Sequence, residues 1–329
     1  MDLTLNIASR LRRSDGHAKA PKRRLRARLA AWWEGTELPP LDPGDADEDG
    51  ARAGDAAKPA APPAKSGAPA PAIWSLERIE VAQILWGPEF TSPLDRAQIL
   101  EFARPLAIAK GRAVLDAGAA LGGATRAISQ EHSTYVYGIE PAAELAGVGM
   151  DLTLHHDMKS MAPVAAYDAK KTPLKPAGFD RALVHELLFR VADKEELLRQ
   201  IARALKPKSQ ILIADYFVED RTRNAAIETW AAADPAQVKP WSLAEARQCL
   251  TRLKIELRSA NDETTHYRGL IVRGMDRFLK GAAQQAINRN LTAALKREIE
   301  LWGKRLAAFD TGALRFCCLH GYRSGDPDT

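Results

Sequence analysis

From residue 73 onward, apolar positions follow two alternating rhythms. Short unbroken apolar runs predict buried strands, and apolar residues three and four apart predict helices that cover them. WSLERIEVAQILW (74–86) and DRAQILEFARPLA (95–107) read as helices, the first with Ser75 as its N-cap. RAVLDAG (112–118) reads as a strand that ends in a turn, GGATRAISQE (122–131) as a helix and YVYGIE (135–140) as a strand. A short third strand is expected near MAPVAA, and FDRALVHELL (179–188) contains a fourth. DKEELLRQIARAL (193–205) is a helix with Asp193 and Glu196 at its start and Lys206-Pro207 at its end. QILIADYF (210–217) is a further apolar strand. Beyond it come a helix capped by Ser242 and Glu245 (241–253) and a strand in LKIELRSAND. Two amphipathic helices follow, in THYRGLIVRGMDRFL and LTAALKREIELWGKRLAAF, and LRFCCLHGYR closes the chain as a strand.

Strands alternating with helices imply an α/β fold: a doubly wound, mostly parallel, seven-stranded sheet with a helical insertion before the last strand. Such sheets bind ligands beyond the carboxyl ends of their strands. Asp116, Glu140, Glu186 and Asp215 all fall near those ends, so polar chemistry is expected on one edge.

Composition bounds the class. The chain has 329 residues, of which 46% are apolar, enough for a sizeable core. No apolar run approaches the roughly 20 residues of a membrane span. No apolar h-region with a small-residue cleavage site follows the start, so a cytoplasmic protein is expected. Cys249, Cys317 and Cys318 lack metal-ligand spacing and read as reduced core thiols. No metal is expected.

Charge sets the first 72 residues apart. Residues 1–33 carry nine Lys/Arg against two acids, a balance of +7, and residues 34–57 carry eight acids against Arg52, a balance of −7. KPAAPPAKSGAPAPA (58–72) has no apolar face to bury and reads as a disordered linker. The expected organisation is a basic amphipathic segment (1–33), an acidic then Pro/Ala-rich linker (34–72) and a globular domain (73–329). KRRLRARLAAWW (22–33), drawn as a helix, sets Leu25, Leu29, Trp32 and Trp33 near one side among arginines. Residues 10–33 thus suit an anionic surface, peripheral at the inner face of a membrane. The other reading is a solvated tail paired with the acidic block. No folded nucleic-acid motif accompanies the charge, which argues against a nucleic-acid partner.

The chemistry centres on VLDAGAALGG (114–123). Asp116 precedes the glycines as D-x-G-x-x-x-G-G, which does not fit the G-x-G-x-x-G of nicotinamide-binding turns. Here the sequence resembles the class I S-adenosylmethionine-dependent methyltransferases, whose first motif reads D/E-x-G-x-G-x-G. Glu140, closing YGIE, matches the carboxylate that holds both ribose hydroxyls in that family; a carboxylate accepts two hydrogen bonds at once. Asp168 matches the acid that meets the adenine amino group. FDRALVHELL and ALKPKSQILIADY match the fourth strand and the helix-turn-strand after it, so the resemblance spans roughly residues 75–220. It implies S-adenosyl-L-methionine as cofactor, held at Asp116, Gly118, Ala120, Gly122, Glu140, Asp168 and His185. Ala120 departs from the pattern, since the family has glycine there. A Cβ crowds the methionine end or forces a backbone angle that glycine takes cheaply. Either the loop tolerates it, or the fold has lost its cofactor.

ILWGPEFTSPLD (84–95) resembles the W/F-G-x-x-F-x-S segment that caps the cofactor in phosphoethanolamine and sterol methyltransferases, which adds Trp86 and Ser92. ADYF (214–217) resembles the fifth-strand S/T-D-Y-C of the phosphoethanolamine enzymes. Their catalytic tyrosine and histidine are not matched: Val81, Ala82 and Gln83 lie near the first position and Arg190 falls on the second. The expected acceptor is a small molecule or lipid, an amine or lipid in the first instance. His185, Glu186, Arg190 and Tyr216 are the candidate acceptor contacts. His185 is a base, a cofactor contact or a filler beside its strand. Arg190 either pairs with a phosphate or carboxylate or is a solvated residue at a helix start. Tyr216 orients an acceptor or packs in the core. By analogy with lids of this type, the insertion at about 264–310 covers the acceptor, with Tyr267, Arg268, Arg273 and Trp302 toward it. The alternative function is a non-catalytic binding or regulatory protein. A nucleic-acid methyltransferase is disfavoured, because no [S/D/N]-P-P-[Y/F/W] motif follows the fourth strand.

Overall fold

The sheet edge where the acids were expected exists, and its strand order creates it. In this computed structural model the described residues are 73–219, 224–236, 238–281 and 289–328, with side chains undescribed at 289 and 290. The basic segment (1–33) and the linker (34–72) lie outside them. The central strands are β1 (Ala113–Ala117), β2 (Tyr135–Glu140), β3 (Val164–Ala166), β4 (Phe179–His185) and β5 (Leu205–Val218). After them come β6 (Trp241–Ser242), β7 (Ile255–Asp262) and β8 (Leu314–Arg323). The main sheet runs β3-β2-β1-β4-β5-β8-β7, and the two-residue β6 pairs with β5 to make eight strands. β1 to β5 are mutually parallel, and β8 runs antiparallel between β5 and β7. The order reverses between β1 and β4, so a crevice opens beyond their carboxyl ends.

Helices α1 (Leu76–Trp86), α2 (Arg96–Ala103), α3 (Gly123–His132), α4 (Ala143–His155) and α5 (Lys194–Ala204) cover the first five strands. α6 (Ala225–Ala233) and α7 (Leu243–Arg252) follow β5. The insertion before the last strand is a helical pair, α8 (Thr264–Gly281) and α9 (Arg289–Asp310). The caps are where the sequence puts them. Ser75 accepts from the Arg78 N–H, Asp193 from the Glu196 N–H, and Ser242 and Glu245 close a reciprocal capping box.

Two elements have no clear sequence signal. AELAGVGMDLTLH of α4 contains two glycines, and AAIETWAAA of α6 is nearly all apolar, so neither shows a polar face at helical period. β5 also begins five residues earlier than QILIADYF. The pairing with β4 slips between Phe179 and Arg181, and Lys206–Ser209 take up the slack in a bulge, with Lys208 at φ 64°.

The core lies on both faces of the sheet; Leu115, Val184, Leu198, Ile213 and Leu319 are fully shielded, each worth roughly 1.5–3 kcal/mol when buried. Both faces of β8 are covered, which is why adjacent Cys317 and Cys318 are both buried. Burial pushes the Cys249 thiol up to about 11 and that of Cys317 up to about 12, so they stay protonated and unreactive. No helix among the described residues is long and apolar enough to cross a membrane.

Candidate active site

The turn after β1 is shaped by contact with β4. Gly118 sits at φ 97°, and a Cβ there would lie 2.2 Å from the carbonyl oxygen of His185. Only glycine fits, and the turn therefore passes directly over the end of β4. Ala120 adopts φ 47°, the left-handed region, as the glycine of the family pattern would. Gly122 follows at φ 79° and starts α3. A left-handed alanine costs roughly 1–2 kcal/mol, against roughly 0.4–1 kcal/mol for the extra freedom glycine has when unfolded. Ala120→Gly is therefore expected to raise stability by up to about 1 kcal/mol. A denaturant midpoint below that of the wild type would contradict this.

Two acids lie behind the turn. Asp116 is fully buried in β1; its Oδ2 accepts from Thr125 Oγ1 at 2.6 Å and its Oδ1 meets His185 Nε2 at 2.9 Å. Burial acts to lower the His185 pKa, but the Asp116 carboxylate, helped by Glu186 and Glu140, outweighs it and the net shift is upward. A histidine raised in the fold adds stability that is complete below its unfolded pKa and is lost as pH rises through the folded value. The melting temperature is thus expected to fall as pH rises above the unfolded value of about 6.5, and His185→Asn is expected to flatten that fall. Parallel profiles for the two proteins would contradict it.

Glu140 ends β2 and is also fully buried. Its Oε2 accepts from the Ala120 N–H at 3.1 Å and its Oε1 from the Ala142 N–H at 2.9 Å. Arg190 then closes a two-pronged ion pair, Nη1 to Oε1 at 2.9 Å and Nη2 to Oε2 at 2.8 Å. Its Nε donates to the Glu186 carbonyl at 3.0 Å. Arg190 stands at the end of a short turn, Leu188–Arg190. Asp215 builds that turn by accepting from the N–H groups of Leu187 and Leu188 at 2.8 and 2.6 Å, and of Phe189 at 3.4 Å.

Glu186 follows β4 at φ 46°. Its carboxylate accepts from Ser92 Oγ, from the Tyr267 hydroxyl and, at 3.1 Å, from the Tyr216 hydroxyl. Tyr216 comes from β5 and Tyr267 from α8, and their hydroxyls also meet each other, so the network ties the sheet to the lid. Arg305 of α9 donates to the Tyr216 hydroxyl at 3.3 Å and to Asp234 at 3.0 Å. Its guanidinium lies over Trp302 at 4.1 Å, with Tyr216, Trp230 and Phe189 between 5.1 and 5.6 Å. The buried Nε1 of Trp302 and Nε of Arg305 have no hydrogen-bond partner among the described residues.

An open cleft joins these parts. Gly118 and Ala120 line one end, His185, Glu186 and Arg190 the middle, and Trp302 and Arg305 the far end. Ser92 lines it as well, in the segment between α1 and α2. Asp168 does not: it is exposed, accepts from the Lys170 N–H at 2.9 Å and pairs with Lys171. Trp86 is buried outside the lining and packs edge-on against Trp302, ring centres 4.6 Å apart. Tyr216 is wholly buried and reaches the cleft through Glu186 and Arg305. Of the four lid residues expected toward the acceptor, Trp302 lines the cleft and Tyr267 contacts Glu186. Arg268 and Arg273 are exposed instead. Tyr267 faces inward, and positions one and six residues further turn away from it on a helix.

Arg126, which the sequence did not single out, holds the cap segment down. Its buried guanidinium donates to Glu89 at 2.9 and 3.0 Å, to Thr153 at 2.9 Å and to the Leu121 carbonyl at 2.7 Å. Its position in GGATRAISQE, with Glu89 37 residues away, carries no local signal. A Cβ on Gly123 would meet the Phe90 ring at 2.9 Å, so segment and helix are in close contact.

A nucleoside bearing an amino-acid tail fits these residues. The Cβ-free crossing at Gly118 leaves the turn lining the cleft, and the Glu140 carboxylate lies one strand away behind it, engaged by Ala120, Ala142 and Arg190. Residues 94–254 match the family model described as a methyltransferase domain. Phosphoethanolamine N-methyltransferase 2 of Caenorhabditis elegans is 26% identical over 139 residues, which are 42% of this chain and 32% of that protein. An O-methyltransferase of Aspergillus nomiae is 26% identical over 119 residues, 36% of this chain and 53% of its own. The matched stretch thus spans about a third to a half of these relatives. Among solved structures, Haemonchus contortus phosphoethanolamine N-methyltransferase 2, in complex with phosphomonomethylethanolamine and S-adenosylhomocysteine, superposes with a TM-score of 0.67. It is 19% identical and covers 75% of this chain and 57% of its own. Through its strand order, its turn and the matched stretch, this fold carries, in residues 94–254, a methyltransferase domain of the class I, S-adenosylmethionine-dependent kind.

Proposed function

We propose that this protein transfers a methyl group from S-adenosylmethionine to a small-molecule or lipid acceptor. One observation carries the reading: the glycine turn, with Glu140 bonded behind it to the Ala120 N–H, lines one end of a cleft whose middle holds His185 and Glu186. The cofactor supplies a methyl group already activated as a sulfonium, so the protein's share is to position, dry and deprotonate. Glu140 is the group for the ribose hydroxyls, and the Gly118–Ala120 turn faces the amino-acid end. Asp116 fixes His185 through Nε2. Glu186, held by Ser92, Tyr216 and Tyr267, stands on the acceptor side. The lid pair α8 and α9 shields the acceptor end from water through Trp302.

The test is transfer of a labelled methyl group to a panel of amines, phosphobases and lipids. Transfer to one class, reduced about 100-fold or more by Glu186→Gln, is the expected result. The second reading, a non-catalytic binding or regulatory protein, is favoured by left-handed Ala120 and by the engagement of Glu140 with Arg190. Binding of the cofactor with transfer to no acceptor in the panel would select it.

A further inference from the structure

The resemblance gives Glu140 to the ribose, yet its carboxylate is already saturated. Two backbone N–H groups and both prongs of Arg190 take its four acceptor positions. Glu140 itself has no exposed surface, whereas Arg190 lines the cleft with 14% of its side chain exposed. The Ala120 and Ala142 donors belong to the chain's own turn and helix start, so they stay. Only the arginine side chain can leave to admit a diol.

A guanidinium that leaves Glu140 inside a largely buried cleft needs another anion, because an unpaired buried charge is costly. Among the described acids lining the cleft, three are paired with other arginines and the fourth is held by three hydroxyls. Of the acids lining the cleft, Glu89 is paired with Arg126, Asp234 with Arg305 and Glu298 with Arg78. Glu186 already accepts from Ser92, Tyr216 and Tyr267. Behind the far end of the cleft, Trp302 Nε1 and Arg305 Nε are buried without a hydrogen-bond partner among the described residues. Both of these groups are donors.

Building on the methyltransferase reading, we propose that Arg190 is a partner-exchanging gate. In the free protein it closes Glu140; on ligand binding it passes to a carboxylate or phosphate group of the acceptor. Acceptor and cofactor then bind with positive coupling, since each removes the partner that the other needs gone. The acceptor class follows: a small molecule with an oxyanion, and not a neutral amine or hydrocarbon.

The experiment is calorimetric titration of S-adenosylhomocysteine into the full chain, in chloride and in inorganic phosphate at equal ionic strength. Wild type, Arg190→Met and Arg190→Gln are compared, with folding checked by circular dichroism; the glutamine variant still donates to Glu140 if the methionine variant unfolds. The wild type is expected to bind about tenfold more tightly in phosphate, one lost charge-assisted pair being worth about that factor. The variants are expected to bind tightly in both salts, with no phosphate effect. Folded variants that bind no more tightly than the wild type in chloride would overturn the gate. Gain in the variants without any phosphate effect on the wild type would overturn the acceptor's oxyanion and assign Arg190 to the cofactor's own carboxylate. Failure of all three proteins to bind would remove the cofactor reading, and the gate with it.

Discussion

Glu140→Ala is expected to cost about 3–5 kcal/mol of stability. The substitution strands the Arg190 guanidinium in a buried position and leaves the Ala120 and Ala142 N–H groups without their acceptor. The loss comes from the uncompensated partners more than from the ion pair itself, since a desolvated pair gains little net energy. The double variant Glu140→Ala/Arg190→Met therefore regains a large part of the loss. Denaturant unfolding of the two single variants and the double measures this directly. Additive losses would show that the carboxylate and the guanidinium act independently.

Arg126→Met is the second large effect, also expected at about 3–5 kcal/mol. Glu89 loses its main counter-charge and, among the described residues, keeps His156, while the carbonyls of Leu121 and Gly149 and the Thr153 hydroxyl lose a donor. Because Glu89 belongs to the segment that carries Ser92 to Glu186, the change also loosens the cleft wall. Faster proteolysis between α1 and α2 is the expected companion. A loss below about 1 kcal/mol would mean that the segment is held by Phe90 packing alone.

The two effects mark what could and could not be read from the chain. The strands, the caps and the acids at the strand ends were legible because each depends on a few adjacent residues. YGIE ends its strand with a carboxylate, and ADYF places Tyr216 on β5, whatever the rest of the chain does. Ala120 was legible as a departure, and its left-handed backbone shows that the turn geometry overrides the residue's own preference. The pairings were not legible. Arg190 stands 50 residues from Glu140, Arg126 37 from Glu89 and Arg305 71 from Asp234. In the sequence each is one arginine among many, and only the strand order brings it to its acid. Asp168, which motif order assigns to the cofactor, stands exposed, accepting from the Lys170 N–H and paired with Lys171.

The most direct test of the central claim is calorimetric titration of S-adenosylmethionine and S-adenosylhomocysteine into the wild type and Asp116→Ala. Micromolar binding, weakened in the variant, is the predicted result: the variant loses the carboxylate that fixes His185 and Thr125 behind the turn. Neither heat nor a thermal shift with either compound would contradict it and make the β1 turn a remnant.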